Sequence, residues 1–336
     1  MKYPYLKEKS SINICAPSSG TGKELEHLAF LAQKQLIEEG FTVVIHPLTL
    51  QQHKAKSASY IKRANAINTL MTNEETDMLF PIWGGELALE LLPYLEFEAF
   101  KEKWILGYSD TSGLLLAITL KTGIATAHGT NAADVRGEQY DSLTGLWKNV
   151  LSTKKREYVT QFSSEKFQSE WNFEEPTDII FHLDTETNWK IIGDDDIKVS
   201  GRLLGGCVDI IRHLIGTPFG DIGTFREKHT NKEPLIWFFE NCQLSATDLR
   251  RSLLQMQYSG WFKDTVLIMF GRSAIQSDVE GYETIDVYKD ISHELKIPIV
   301  YDIDCGHVPP NMTFVNGAYA DVYVSDGRGK VVQHFI

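Results

Sequence analysis

Residues 103–129 read KWILGYSDTSGLLLAITLKTGIATAHG. The run KWIL predicts a strand that enters a turn at GYSD, Ser112 to Lys121 predicts a helix, and IATAHG predicts a further strand. A strand, a sharp turn and a helix in that order mark the carboxyl edge of a parallel sheet, where open α/β folds collect their reactive groups. Upstream, SINICAPSSG is another short apolar run ending in turn residues. Leu25, Leu28, Ala29, Ala32 and Leu36 then recur at helical spacing until Gly40, and FTVVIHP follows as a strand. Residues 57–73 predict a helix, and MLFPIWGG predicts a strand and a turn. Alternating strands and helices imply a mainly parallel sheet with helices on both faces, a Rossmann-like α/β arrangement.

The second half has a different rhythm. After GRLLGGCVDIIRHLIG come the strands LIWFFE, TVLIMFG and PIVYDID, with a helix through ATDLRRSLLQM. The chain ends in ADVYVSDG and KVVQHFI, and SDGRGK is a hairpin turn signal. We expect a smaller α+β domain over 201–336, an N-terminal domain over 1–155, and a polar crossover over 156–200. In that crossover Asp194 to Asp196 form an acidic triplet; adjacent carboxylates diverge, so the triplet reads as a solvated turn and not a metal site.

The composition narrows the function. A chain of 336 residues, 43% hydrophobic and 23% charged, has ample core for two domains and no run long and apolar enough to span a bilayer. Its net charge of −12, without a dense Lys/Arg tract, disfavours nucleic acid and anionic membranes as partners and leaves a small molecule. No secretory signal is apparent at the start, so a cytoplasmic location is expected. Cys15, Cys207, Cys242 and Cys305 are widely spaced without a CxxC pair and read as reduced core thiols, with no metal or other cofactor expected.

Several motifs bear on chemistry. PSSGTGKE sits where a phosphate loop belongs, but Pro17 replaces its first glycine and Glu24 its Ser/Thr after Lys23, so it reads as a turn that feeds a helix or borders a cleft. Gly107-Tyr108-Ser109-Asp110-Thr111 has the strand-turn-helix setting of a nucleophile elbow, although Thr111 replaces the second glycine of GxSxG and a helix N-cap serine is the alternative. Gly84-Gly85, at another strand end, either forms a turn or brings an amide, with that of Asp110, toward an oxyanion. Glu240 closes a very apolar strand and His307 stands in DIDCGHVPP; either is structural alone, but with Ser109 they supply each part of a triad in the order Ser, Glu, His.

The blocks WILGYSDTSGLLLAITLKTGIATAHG, GRLLGGCVD, LIWFFENCQLSATDLRRSLLQMQYSGWF and DCGHVPP resemble, in order, those of the LD-carboxypeptidase family of serine peptidases, and especially its microcin-immunity branch. The resemblance runs from INICAPSSG to MTFVNGAYADV. It implies Ser109 as nucleophile, Glu240 and His307 as its partners, and oxyanion donors at the Gly85 and Asp110 amides. It also implies a homodimer and a substrate that is a muropeptide or an aminoacyl-nucleotide amide. Trp189, in NWKII, resembles a tryptophan that stacks on the nucleobase in immunity-type members; a core tryptophan is the alternative. Cys207 departs from the Asn common at that point of the block. Beside this reading stand an α/β-hydrolase esterase, a P-loop nucleotide hydrolase and a non-catalytic binder on the same scaffold.

Overall fold

The computed structural model describes residues 1–137, 140–169, 180–275 and 277–336. Two sheets organise them. In the first, the strands lie in the order Thr42–Ile45, Ser11–Cys15, Met78–Pro81, Trp104–Gly107, Thr126–His128 and Phe314–Asn316. Every neighbouring pair is parallel except the last, where Phe314–Asn316 runs antiparallel to Thr126–His128. Met78–Pro81 and Trp104–Gly107 are buried along their whole length, as expected of strands covered on both faces.

The helix Thr111–Thr122 is apolar on all sides, with every residue from Thr111 to Leu120 buried. Such a helix belongs inside a protein. It packs on its own sheet and on the strand Ile197–Cys207 of the second sheet, so the residue at its amino end, Asp110, lies where the two sheets meet. Gly123, in the left-handed conformation, closes the helix as its N–H donates a hydrogen bond to the Thr119 carbonyl.

The second sheet has eight strands, ordered Tyr158–Phe162, Arg328–His334, Tyr319–Ser325, Ile197–Cys207, Leu235–Glu240, Thr265–Gly271, Ile299–Ile303 and Lys190–Ile192. Its four consecutive strands from Ile197–Cys207 to Ile299–Ile303 are parallel, and antiparallel strands flank them. This differs from the smaller α+β unit read from sequence: apolar runs announce strands but carry no record of the direction in which they pair. The stretch read as a crossover likewise contributes Tyr158–Phe162 and Lys190–Ile192, one to each edge of this sheet. Edge strands with exposed residues lack the strong apolar signal of central ones.

The register places Cys207 opposite Glu240, so the buried strand LIWFFE delivers its terminal carboxylate to the carboxyl edge of the parallel block. Phe314–Asn316 joins the sheets, since it belongs to the first while its Asn316 Oδ1 accepts a 2.9 Å bond from the Gly205 amide of the second. Asp194 to Asp196 stand exposed in the turn before Ile197–Cys207. Among the described residues no helix is long and apolar enough to cross a membrane.

Candidate active site

Ser109 follows the buried strand Trp104–Gly107 by two residues and precedes the helix Thr111–Thr122 by two. Its φ of 63° places a non-glycine residue in the left-handed region, which is the backbone strain of an elbow that thrusts a side chain outward. The turn is braced below the serine. The Asp110 side chain is 1% exposed; its Oδ2 accepts a short bond from the Ser18 hydroxyl and a 2.7 Å bond from the Ala88 amide. The nucleophile turn, the PSSG loop and the loop after Gly85 are thereby tied at one carboxyl group.

Gly84 is pressed against the serine. A Cβ on Gly84 would lie 2.6 Å from the Ser109 Cβ and 2.7 Å from its Oγ, closer than side chains tolerate. Among the described residues neither the Gly85 nor the Asp110 amide donates a hydrogen bond to the protein. Two free N–H groups flanking a serine are what an oxyanion requires.

His307 reaches the serine from the second sheet. Its Nε2 lies 3.1 Å from Ser109 Oγ, and its Nδ1 lies 2.6 Å from Glu240 Oε2. The His307 backbone amide also donates to that oxygen, at 3.1 Å, so the loop and the ring are held by one acceptor. Gly306 permits this approach: at φ 100° it sits so near Glu240 that a Cβ would come within 2.2 Å of Oε2. The Tyr108 ring meets the His307 ring edge-on, with centroids 5.1 Å apart. Tyr108 and Glu240 thus hold the imidazole on two sides.

The electrostatics follow from burial and pairing. Burial opposes a charged His307, but the Glu240 carboxylate outweighs it, with further help from Cys242, and the imidazole is held well above its ordinary value. Burial also opposes the Glu240 charge, yet His307 beside it keeps the carboxyl below the usual range. The arrangement is therefore a basic imidazole aligned between a buried carboxylate and a hydroxyl, capable of taking a proton from Ser109.

The other residues singled out in the sequence can be placed as well. Trp189 is 1% exposed, its indole N–H donates to the buried Asp304 at 3.0 Å, and it belongs to the cluster with Leu203, Phe238 and Val331. A Cβ on Gly329 would be 2.1 Å from its ring, so backbone covers that face. With its indole N–H bonded to Asp304 and the ring 1% exposed, Trp189 sits as the core tryptophan that was the alternative to a base-stacking residue. Cys207 is buried and its Sγ lies 3.4 Å from Asp209 Oδ2, on the strand beside Glu240. In the PSSGTG loop the Ser19, Gly20 and Thr21 amides donate to Gly84 O, Gln52 Oε1 and Thr49 O. These three amides are engaged within the fold, and the loop borders the site through Ser18, which donates to Asp110.

A cavity of about 750 Å³ is lined by Val308, the residue after His307, and by Arg272, Ser273, Phe167 and Tyr301; no triad residue lines it. Its charged lining is mixed: Lys190 pairs with Asp302 at 2.8 Å and Arg272 with Asp304 at 2.8 Å, while Glu186, Asp278 and Glu283 face it as well. Such a volume suits a ligand of small-molecule size. Sequence reasoning missed Tyr108 and His128, both of which pack at the triad. Their signal was position, next to Ser109 and at the end of a sheet strand, without any motif to single them out.

Comparison with known proteins agrees with the fold and the order of its parts. A family model described as the LD-carboxypeptidase N-terminal domain matches residues 12–129, and its companion, the LD-carboxypeptidase C-terminal domain, matches residues 200–322. The microcin C7 self-immunity protein MccF of Escherichia coli is 25% identical over 334 residues, 96% of this chain and 92% of its own. The structure of MccF in complex with glutamyl sulfamoyl guanosine superposes with a TM-score of 0.82 at 22% identity, covering 99% of this chain and 98% of that one. A muramoyltetrapeptide carboxypeptidase from Oxalobacter formigenes superposes with a TM-score of 0.74 at 20% identity, covering 97% and 99%.

Proposed function

This chain belongs to the LD-carboxypeptidase family of serine peptidases, and from that premise we propose that it is a serine carboxypeptidase or amidase with Ser109 as its nucleophile. The observation that carries the proposal is the continuous chain of contacts from Glu240 through His307 to Ser109, at 2.6 and 3.1 Å. His307 takes the Ser109 proton as Oγ attacks the scissile carbonyl, and the proton passes to the leaving amine. The Gly85 and Asp110 amides hold the oxyanion, and Glu240 fixes the imidazole tautomer and balances its charge. Water, activated by the same histidine, then releases the acyl group from Ser109.

The substrate class we infer is a small peptide-like amide: the L,D-peptide bond of a muropeptide, or the amide joining an aminoacyl group to a nucleotide-like leaving group. The likeness to MccF bound to glutamyl sulfamoyl guanosine supports the second, and that to a muramoyltetrapeptide carboxypeptidase supports the first. The cavity beside Val308 has room for either leaving group. The mainly parallel first sheet is compatible with a Rossmann-like N-terminal domain over 1–155, with 156–200 leading to a C-terminal domain over 201–336. A cytoplasmic homodimer is part of the same reading.

The test is a paired assay by mass spectrometry, in which the purified protein is offered an L,D-tetrapeptide muropeptide and an aminoacyl sulfamoyl adenosine. Release of terminal D-alanine assigns the wall-recycling activity, and release of the free amino acid assigns the immunity-type amidase. Cleavage of neither at any pH between 6 and 9 would count against the proposal.

A further inference from the structure

Glu240 uses one of its two oxygens on His307, and what the other faces has no place in the mechanism above. Oε2 receives both His307 bonds. Among the described residues Oε1 is buried without a hydrogen-bond partner, and so is Nε2 of His128, which lies 3.9 Å away. Both side chains are sealed from solvent, at 0 and 1% exposure. Two buried polar atoms left unmatched within an ångström or so of bonding distance point to a contact that tightens when the site is engaged, as hydrogen bonds in ligand-free active sites do.

The surroundings of His128 select the proton it would use. It closes the strand Thr126–His128, opposite Gly107 in the parallel register, so it sits directly beside the nucleophile strand. Its ring is wedged between Phe238, with centroids 5.4 Å apart, and Tyr108, at 6.3 Å. Burial lowers its pKa to about 4, so the ring is neutral near pH 7 and carries a proton on one nitrogen only. Nδ1 lies 3.8 Å from Cys305 Sγ. Burial pushes that thiol well above its ordinary value, so it stays an S–H donor, and a donor opposite Nδ1 leaves the imidazole proton on Nε2, toward Glu240.

We propose that His128 is a positioning residue for the triad, its Nε2–H holding the free oxygen of Glu240 and so fixing the carboxylate that orients His307. The proposal rests on the assignment of Ser109, His307 and Glu240 to one reaction. It goes beyond that assignment in adding a fourth residue, which touches no substrate. The groups facing the Glu240–His307 pair are His128 from the first sheet, Tyr108 and Asp134 beside the nucleophile turn, and Cys207, Cys242 and Cys305 from the second sheet. Of these His128 is the one whose nitrogen faces Oε1 unpaired. Without its N–H the Glu240 charge is less shared, the carboxylate grips the His307 proton harder, and the imidazole loses that proton only at higher pH.

The experiment compares His128→Leu, which removes the donor, with His128→Gln, whose amide keeps an N–H near the same place. The first readout is the pH titration of the His307 ring by nuclear magnetic resonance on the protein alone, which needs no substrate. The second is kcat and KM on whichever amide the wild type cleaves. We expect the leucine variant to titrate at higher pH and to lose about ten- to a hundredfold in kcat with KM little changed, as for loss of a hydrogen bond to a charged group. The glutamine variant should stay near wild type in both. Should the leucine variant not fold, His128→Asn, whose shorter amide stops short of Glu240, replaces it with the same expectations. A titration and kcat unmoved by the loss, or moved equally by glutamine, would overturn the proposal, because a residue that only fills space gives that result. If the wild type cleaves neither substrate yet the titration moves as expected, the contact stands and the assigned reaction falls; if the wild type depends on Ser109 but His128 moves nothing, the reverse holds.

Discussion

Glu240 Oε2 accepts two bonds from His307, one from the ring at 2.6 Å and one from the backbone amide at 3.1 Å. The carboxylate thus sets the position of the loop and the tautomer of the ring together. The acceptor lies at the end of a buried parallel strand, and the donor on a loop that only glycine at 306 lets come so close. Replacing Glu240 by Gln keeps the shape and removes the charge. We expect kcat to fall by about 10⁴-fold, the scale seen when a triad carboxylate becomes an amide, and melting to fall as well, since the charged imidazole loses its buried partner. Steady-state kinetics beside a thermal melt checks this.

The pH profile follows from the same pair. His307 acts as a base only when neutral, and Glu240 holds it protonated to a pH well above the ordinary histidine value. Below that raised pKa the ring is charged and cannot accept the Ser109 proton, so kcat/KM should rise with pH through a midpoint above about 6.5, the unperturbed value. In Glu240→Gln the residual activity should show its midpoint displaced to lower pH. A pH–rate profile of both proteins reads this directly.

The nucleophile turn has no space for a side chain at Gly84, where a Cβ would meet Ser109 Cβ at 2.6 Å. Gly84→Ala should displace the serine from His307 and cut kcat/KM by about a hundredfold, as misplacements of an ångström do. The accompanying loss of stability should be about 1–3 kcal/mol, as for overpacking elsewhere. Denaturant unfolding separates the two effects.

The carboxyl of Asp110 ties the turn to Ser18 and to the Ala88 amide. Ser18→Ala removes one of these bonds and loosens the loop bearing the Gly85 amide. A kcat reduced by about tenfold with KM nearly constant is expected, in line with one hydrogen bond that matters mainly in the transition state.

Trp189 supplies the contrary case. Its N–H is one of the donors to buried Asp304, so Trp189→Phe leaves that carboxylate short of a bond and should cost about 1–3 kcal/mol of stability. It should not discriminate between nucleotide-bearing and peptide substrates. Parallel assays of the two substrates on this variant would reveal any selective effect.

How much of this was legible in the sequence depends on what each residue borrows from its neighbours. Ser109, Glu240 and His307 stood out as candidates by their places after apolar runs, the resemblance to the LD-carboxypeptidase family singled them out as a triad, and the structure brings the three together. Their distances could not be read, since they depend on how two sheets meet through Phe314–Asn316 and the buried helix Thr111–Thr122. His128 passed as the last residue of a strand because its meaning lies in Glu240, distant in sequence. Trp189 was open to two readings, a base-stacking residue by resemblance to immunity-type members or a core tryptophan, and only the backbone at Gly329 and the carboxylate of Asp304 bring out its core packing. The strands Tyr158–Phe162 and Lys190–Ile192 escaped because edge strands need little apolar alternation to pair.

The central claim is that Ser109 carries the reaction, and the most direct test is the turnover of Ser109→Ala measured beside wild type on the amide that wild type cleaves. A fall in kcat on the order of 10⁴- to 10⁶-fold is expected, with melting and substrate affinity preserved, since the hydroxyl is lost and the rest of the site remains. Turnover within tenfold of wild type would contradict it and remove Ser109 from the mechanism.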